Sequence, residues 1–156
     1  MAIGTNDLIE KFGTLTSVDD GSTSSIANAA FSVAADITAW TNSDDVPQCQ
    51  FVLMCQWATV TSVANKPINI YARPINVQST NDPVAPGTNS LNHYIGSFNV
   101  YAAAITTDYY FVSTRCDLPN IKSGQEYEFY LENQTGQTIS ANWDLWIMPI
   151  TVGPKA

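Results

Sequence analysis

The chain has 156 residues, 45% of them hydrophobic and only 13% charged, with six Lys and Arg against fourteen Asp and Glu for a net charge of −8. One domain of this length buries roughly 70% of its unfolded surface without disulfide staples. The shortage and scatter of basic residues speak against nucleic acid and anionic membranes as partners, and the longest apolar stretch, around residues 99–105, falls far short of the ~20 residues of a transmembrane helix.

The charged share is about half the usual one, so Thr, Ser, Asn and Gln must build most of the polar surface, which suits contact with other proteins. The opening MAIGTNDLIEKFGT lacks a basic region followed by an apolar one, so nothing marks it for secretion and cytoplasmic synthesis is expected. Residues 6–12 predict two helical turns, with Asn6 as cap and Leu8, Ile9 and Phe12 at helical spacing. Seven residues cannot hold a helix alone in water. The Thr/Ser/Asp/Gly-rich run 13–28 reads as an extended arm or a long loop. Together these predict an N-terminal arm, 1–28, that lies on a surface, followed by one domain, 29–156.

Strand signals begin with FSVAADITAW, in which Phe31, Val33, Ala35 and Ile37 alternate with smaller or polar residues. QFVLMCQWATV sets Phe51, Leu53, Cys55 and Trp57 against Val52, Met54, Gln56 and Ala58. Both faces are largely apolar, which predicts a central strand. PINIYARPINV follows, with Pro74 implying an edge or a bulge in its second half. QSTNDPVAPGTN, residues 78–89, reads as a long loop of the kind that is often functional. HYIGSFNVYAAAI and DYYFVSTRCDL are further strands, the latter with Tyr109, Phe111 and Ser113 opposite Tyr110, Val112 and Thr114. EYEFYLEN is the cleanest alternation, with Tyr127, Phe129 and Leu131 inward and Glu126, Glu128, Tyr130 and Glu132 outward. WDLWIMPITV sets Trp143, Leu145 and Ile147 against Asp144, Trp146 and Met148. Seven or eight strands at this spacing predict an all-β, two-sheet antiparallel sandwich of Greek-key or jelly-roll type.

The vocabulary of catalysis is thin. His93 is the single histidine, and no P-loop, GxGxxG, HExxH or GxSxG occurs. Three cysteines do not make a disulfide framework. Cys49 and Cys55 would lie roughly 20 Å apart along one strand, beyond disulfide reach, so all three read as packed thiols, and Cys116 with His93 reads as packing too. Asp19, Asp20, Asp44, Asp45 and Asp82 lack the spacing of a calcium loop and read as solvated turn residues. Glu126, Glu128 and Glu132 place neighbouring carboxylates about 7 Å apart, inside the inverting-glycosidase range. A solvated face that discourages edge pairing is the expected reading. No catalytic group, metal or cofactor is expected. Trp146, Tyr130, Tyr110 and Tyr71 should face outward, where they would stack on sugars or, more in keeping with so apolar a chain, pack against protein.

The stretches TNDLIEKFGT, FSVAADITAWTNSDDVP and LPNIKSGQEYEFYLENQTGQTISANWDLWIMPITVGPK resemble small structural proteins of tailed bacteriophages, most of all the jelly-roll head decoration, or cement, proteins. These clamp major capsid subunits on the outside of the shell. The likeness lies in general texture and carries no motif, so it assigns no site residues. It implies a non-enzymatic virion protein on the capsid exterior, with the major capsid protein as partner and self-association as a dimer or trimer. On that reading Leu8, Ile9 and Phe12 are the anchors of the arm, and Tyr130 and Trp146 are further contact candidates. A carbohydrate- or receptor-binding domain of a tail or head fibre is the alternative.

Overall fold

A computed structural model describes residues 8–59, 66–77, 82–87, 93–100, 107–119 and 122–154. Among these, the strands in chain order are β1 (Leu8–Phe12), β2 (Thr16–Asp20), β3 (Ala30–Phe31), β4 (Trp40–Thr41), β5 (Gln48–Cys55), β6 (Lys66–Ile75), β7 (Tyr94–Val100), β8 (Tyr109–Val112), β9 (Cys116–Asp117), β10 (Glu126–Asn133) and β11 (Asp144–Pro154). They form two antiparallel sheets. The protein is an all-β sandwich.

Several of these strands are halves of one span. β1 and β2 both run antiparallel along the same side of β11, Leu8–Phe12 beside residues 154–150 and then Thr16–Asp20 beside residues 147–144. Between them the Gly13 N–H donates to the Pro149 carbonyl (2.8 Å). In the same way β3 and β4 share β10, and β8 and β9 share β5. Counted as spans in chain order, the six-stranded sheet runs first, eighth, third, sixth, and the five-stranded sheet second, seventh, fourth, fifth.

Three expectations need correction. Residues 8–12 are strand, not helix: the open side of β11 satisfies their backbone groups, which two isolated helical turns cannot do in water. Asn6, the expected cap, lies outside the described residues. The following stretch is not a loose arm either, because β2 is a sheet strand and Val18 and Ile26 belong to the core. FSVAADITAW is likewise broken. Ala34–Asp36 form a 3-10 turn between β3 and β4, and the Ser32 hydroxyl takes the Leu131 N–H (3.0 Å) where the chain leaves β10. Two consecutive Ala and an Asp are poor strand formers.

Other expectations match. Phe51, Leu53, Cys55 and Trp57 are buried, while Val52, Met54 and Gln56 on the opposite face are half-buried. Among the described residues β7 accompanies β6 only as far as Tyr71, so Pro74, which has no N–H to donate, stands where no described strand pairs with that side of β6. The expected loop 78–89 is described only at 82–87, and the end of HYIGSFNVYAAAI, residues 101–105, lies outside the described residues.

The sheets meet through Phe51 and Phe129, in an edge-to-face contact with ring centroids 4.9 Å apart. Around them pack Leu53, Ile70, Phe98, Leu131, Leu145 and Ile147. Each side of the sandwich is stitched by a backbone bond. Thr38 N–H donates to the Val18 carbonyl (3.0 Å) on one side and Thr114 N–H to the Ser97 carbonyl (3.4 Å) on the other. At one end Ile26 and Ile139 exchange backbone bonds of 3.0 Å, and the Trp143 indole N–H donates to the Ser24 carbonyl (2.9 Å). A Cβ on the buried Gly21 would stand 2.0 Å from that indole nitrogen. Gly21→Ala is therefore expected to cost ~1–3 kcal/mol by overpacking, read as a lower denaturation midpoint with an unchanged slope in urea.

Candidate partner-binding surface

The register of β11 fixes which of the expected anchors meet. Pairing sets Val112, Val52 and Trp146 in one cross-strand row, Tyr110, Met54 and Asp144 in the next, and Phe12, Ile150 and Gln48 in a third. All project from the outer face of the six-stranded sheet, because the alternate positions Phe51, Leu53, Phe111, Leu145 and Ile147 fill the core. On this face Leu8 is 70% exposed, Tyr110 63%, Val112 59%, Val152 58% and Phe12 55%. Trp146 is half-buried and stacks on Tyr110, with centroids 6.5 Å apart, over the outer side of β5. Isolated exposed apolar residues are ordinary, but several on one sheet face mark a contact surface.

Leu8, Phe12 and Trp146 thus share a face. Ile9 does not: it alternates with them and is half-buried. Tyr130 belongs to the other sheet and is 3% exposed, so it is not an available contact. It packs there because its hydroxyl donates to Glu128 (2.8 Å), which also pairs with Arg73 (2.8 Å). Val112 and Val152 were not singled out from the sequence, although the alternation of Tyr110 and Val112 placed both outward.

A two-pronged ion pair holds the exposed edge. The Arg115 guanidinium, next to β9, donates to both carboxylate oxygens of Glu10 on β1 (2.5 and 2.8 Å). It holds the Glu10 carboxyl below its ordinary value. Ile150, on β11, which with β5 lies between them, is 1% exposed although it belongs to the outer face. Beneath the β1 edge opens a cleft of about 300 Å³, lined among others by Lys11, Phe12, Trp40, Asp44 and Thr151.

The outer face of the five-stranded sheet is polar and tied up. Glu132 accepts from Asn69 (2.8 Å), Tyr71 (2.8 Å) and Gln134 (2.6 Å). Glu126 accepts from Asn76. The three glutamates are therefore structural acceptors rather than a solvated row. Beside them, a groove of about 510 Å³ is lined by Lys66, Asn69, Tyr94, Ser97 and Asn99. The turn acids mostly match expectation: Asp45 takes Ser123 and Gly124, Asp82 the Val77 N–H and Asp20 the Ser22 N–H. Asp19 does not, being 1% exposed.

All three cysteines are buried free thiols. Burial raises Cys55 to about 12 and Cys116 to about 11, and pushes Cys49 up as well. Burial also holds His93 below its ordinary value, with Arg73 acting the same way. Among the described residues its buried Nδ1 has no hydrogen-bond partner. No family model matches the chain, and no curated protein or solved structure matches it.

Two outcomes are expected. No thiol should react with a disulfide reagent in native protein at pH 8, and three per chain should react after denaturation. Burial raises the Glu132 carboxyl, but its three donors outweigh that and leave it below its ordinary value. Its stabilising contribution is then present above the unfolded value of 4.5 and lost as pH falls through the lower folded one. The melting-temperature gap between wild type and Glu132→Gln should be open at pH 6 and close on acidification.

Proposed function

We propose that this chain is a non-enzymatic virion structural protein that binds the outer surface of a phage capsid and stabilises it by bridging major capsid subunits. The observation that carries the reading is the set of exposed apolar residues on one sheet face, Leu8, Phe12 and Val152 towards one end and Tyr110 and Val112 towards the other, with Glu10 of the β1 edge pinned by Arg115. A pinned edge loses little freedom on docking, so more of the apolar burial appears as affinity. The strand order, first-eighth-third-sixth over second-seventh-fourth-fifth, is that of a jelly roll. That architecture serves viral shells and lectins alike, so the strand order supports the reading by analogy alone. The acidic, weakly charged composition and the texture of the sequence favour the shell. Symmetric copies, as dimers or trimers, would add avidity to modest individual contacts.

In this reading the N-terminal strand is the anchor and the outer face of the six-stranded sheet faces the capsid. Burying a Leu or Phe contributes ~1.5–3 kcal/mol. Leu8→Ser with Phe12→Ser should therefore weaken binding to purified shells on the order of 100-fold or more. The melting temperature should hardly move, since both side chains are exposed. Co-sedimentation with shells, beside a melting curve, reads both. Unchanged sedimentation of the double variant would remove this face from the proposal.

The second reading, a carbohydrate- or receptor-binding domain of a fibre, is favoured by the groove beside Tyr94. An exposed ring there stands next to the amides of Asn69 and Asn99 and the Ser97 hydroxyl, groups suited to sugar rings and hydroxyls. Glycan-array binding that disappears with Tyr94→Ala would select it.

A further inference from the structure

β1 leaves one of its two hydrogen-bonding sides open. Among the described residues it pairs with β11 alone, and all of it but the half-buried Ile9 is exposed. Backbone groups alternate in direction along a strand. The Gly13 N–H donates to the Pro149 carbonyl, so Lys11 and Ile9 also turn their N–H and C=O towards β11. Those of Leu8, Glu10 and Phe12 therefore point out of the sheet edge. Such an edge is a template for a further strand, and proteins commonly guard it with charge, proline or a bulge.

On β1 the guards are turned away. Glu10 reaches back across β11 and β5 to Arg115, which donates to both of its carboxylate oxygens. Lys11 lies on the opposite face of the sheet, its Nζ 3.7 Å from where a Cβ on Gly153 of β11 would stand. The strand holds no proline, and its register with β11 runs without a shift from Leu8 to Phe12.

We propose that this edge pairs with the β1 edge of a second copy, antiparallel about a two-fold axis at Glu10, joining two six-stranded sheets into one. A two-fold perpendicular to the sheet sets outer-face residues opposite outer-face residues, so the axis passes through a residue rather than between two. Glu10 is the middle one of the three whose backbone points outward. With the axis there, Glu10 exchanges N–H···O bonds with its own counterpart, and Leu8 of each copy exchanges them with Phe12 of the other. Leu8 and Phe12 are 70% and 55% exposed in the single chain, and opposite each other they cover that apolar surface. Two glutamates opposed at the axis would repel, but each carboxylate is drawn off the junction by its own Arg115. Val152, beside Glu10 on β11, extends the exposed apolar ends of the two copies into one patch. The pairing shares side chains with the surface proposed above for the capsid, but it does not rest on that reading. Its 5 residues a side are far fewer than the roughly 20–30 of a standard interface, which places the dissociation constant on the order of 100 μM.

Cross-linking of the full chain decides the matter. The native thiols are buried, so a cysteine placed on the surface reacts alone. Glu10→Cys would face its counterpart at about 5.5 Å between Cα atoms, within disulfide range. Val152→Cys, one strand further in on each copy, would stand roughly 15 Å from its counterpart, beyond that range. Under mild oxidation at about 100 μM protein, Glu10→Cys is expected to form disulfide dimers at least about ten-fold faster than Val152→Cys. Sedimentation equilibrium of the wild-type chain between about 10 μM and 1 mM should show the mass rising from monomer towards dimer. Glu10→Pro removes an N–H that points out of the edge and none of the ladder to β11. It should stay monomeric and still melt cooperatively, whereas Glu10→Gln, which keeps the N–H, should dimerise. A wild-type chain that remains monomeric up to about 1 mM, or equal cross-linking at the two positions, would overturn the pairing and leave the edge to a strand of another protein. Both readouts are made without shells, so their failure and a failure to bind shells are separate results.

Discussion

The pairing of the chain's beginning with its end is the contact on which the six-stranded sheet depends. β11 is the longest strand, and it carries β5 on one side and the split span β1/β2 on the other. Without the N-terminal residues its outer side would be an open edge, and Leu145 and Ile147 would lose the neighbours that keep water from the core beside Val18. The interruption at residues 13–15 lets one span do two jobs. Its first half lies exposed at the rim, and its second half dips inward far enough to bury both Val18 and Asp19.

That division separates the two outer faces of the sandwich. On the six-stranded sheet the exposed apolar residues Leu8, Phe12, Tyr110, Val112 and Val152 share the outer face with polar ones such as Glu10, Gln48, Gln50 and Asp117. On the five-stranded sheet the outward carboxylates are each taken by neighbours: Glu128 by Arg73 and Tyr130, Glu132 by Asn69, Tyr71 and Gln134. The donors around Glu132 hold its carboxyl below its ordinary value. The same logic makes Asp19 conspicuous, since it has the burial of a structural acid and, among the described residues, no side-chain partner.

Much of this was legible in the residues. Period-two alternation assigned EYEFYLEN and QFVLMCQWATV their inward sides correctly, because a strand with one face in a core tolerates no slip in register. Pro74 announced the place where, among the described residues, β6 loses the company of β7. The N-terminus was misread because Leu8, Ile9 and Phe12 fit a helical face as well as a strand, and a short apolar pattern cannot tell the two apart. Tyr130 followed the outward parity it was assigned, yet cross-strand neighbours on β6 bury it, and parity says nothing about what covers a face.

The sequence alone determined the all-β class, the inward and outward sides of the long strands, the packed state of the thiols and the acidic, polar character of the surface. These follow from local alternation and composition, which each segment carries by itself. Tertiary structure decided that Leu8–Phe12 and Thr16–Asp20 join the sheet, that Phe12 and Trp146 share a face while Tyr130 does not, and that Asp19 and Asp36 are buried. Those facts depend on which distant strand supplies the open hydrogen-bonding side, and no single segment encodes its partner.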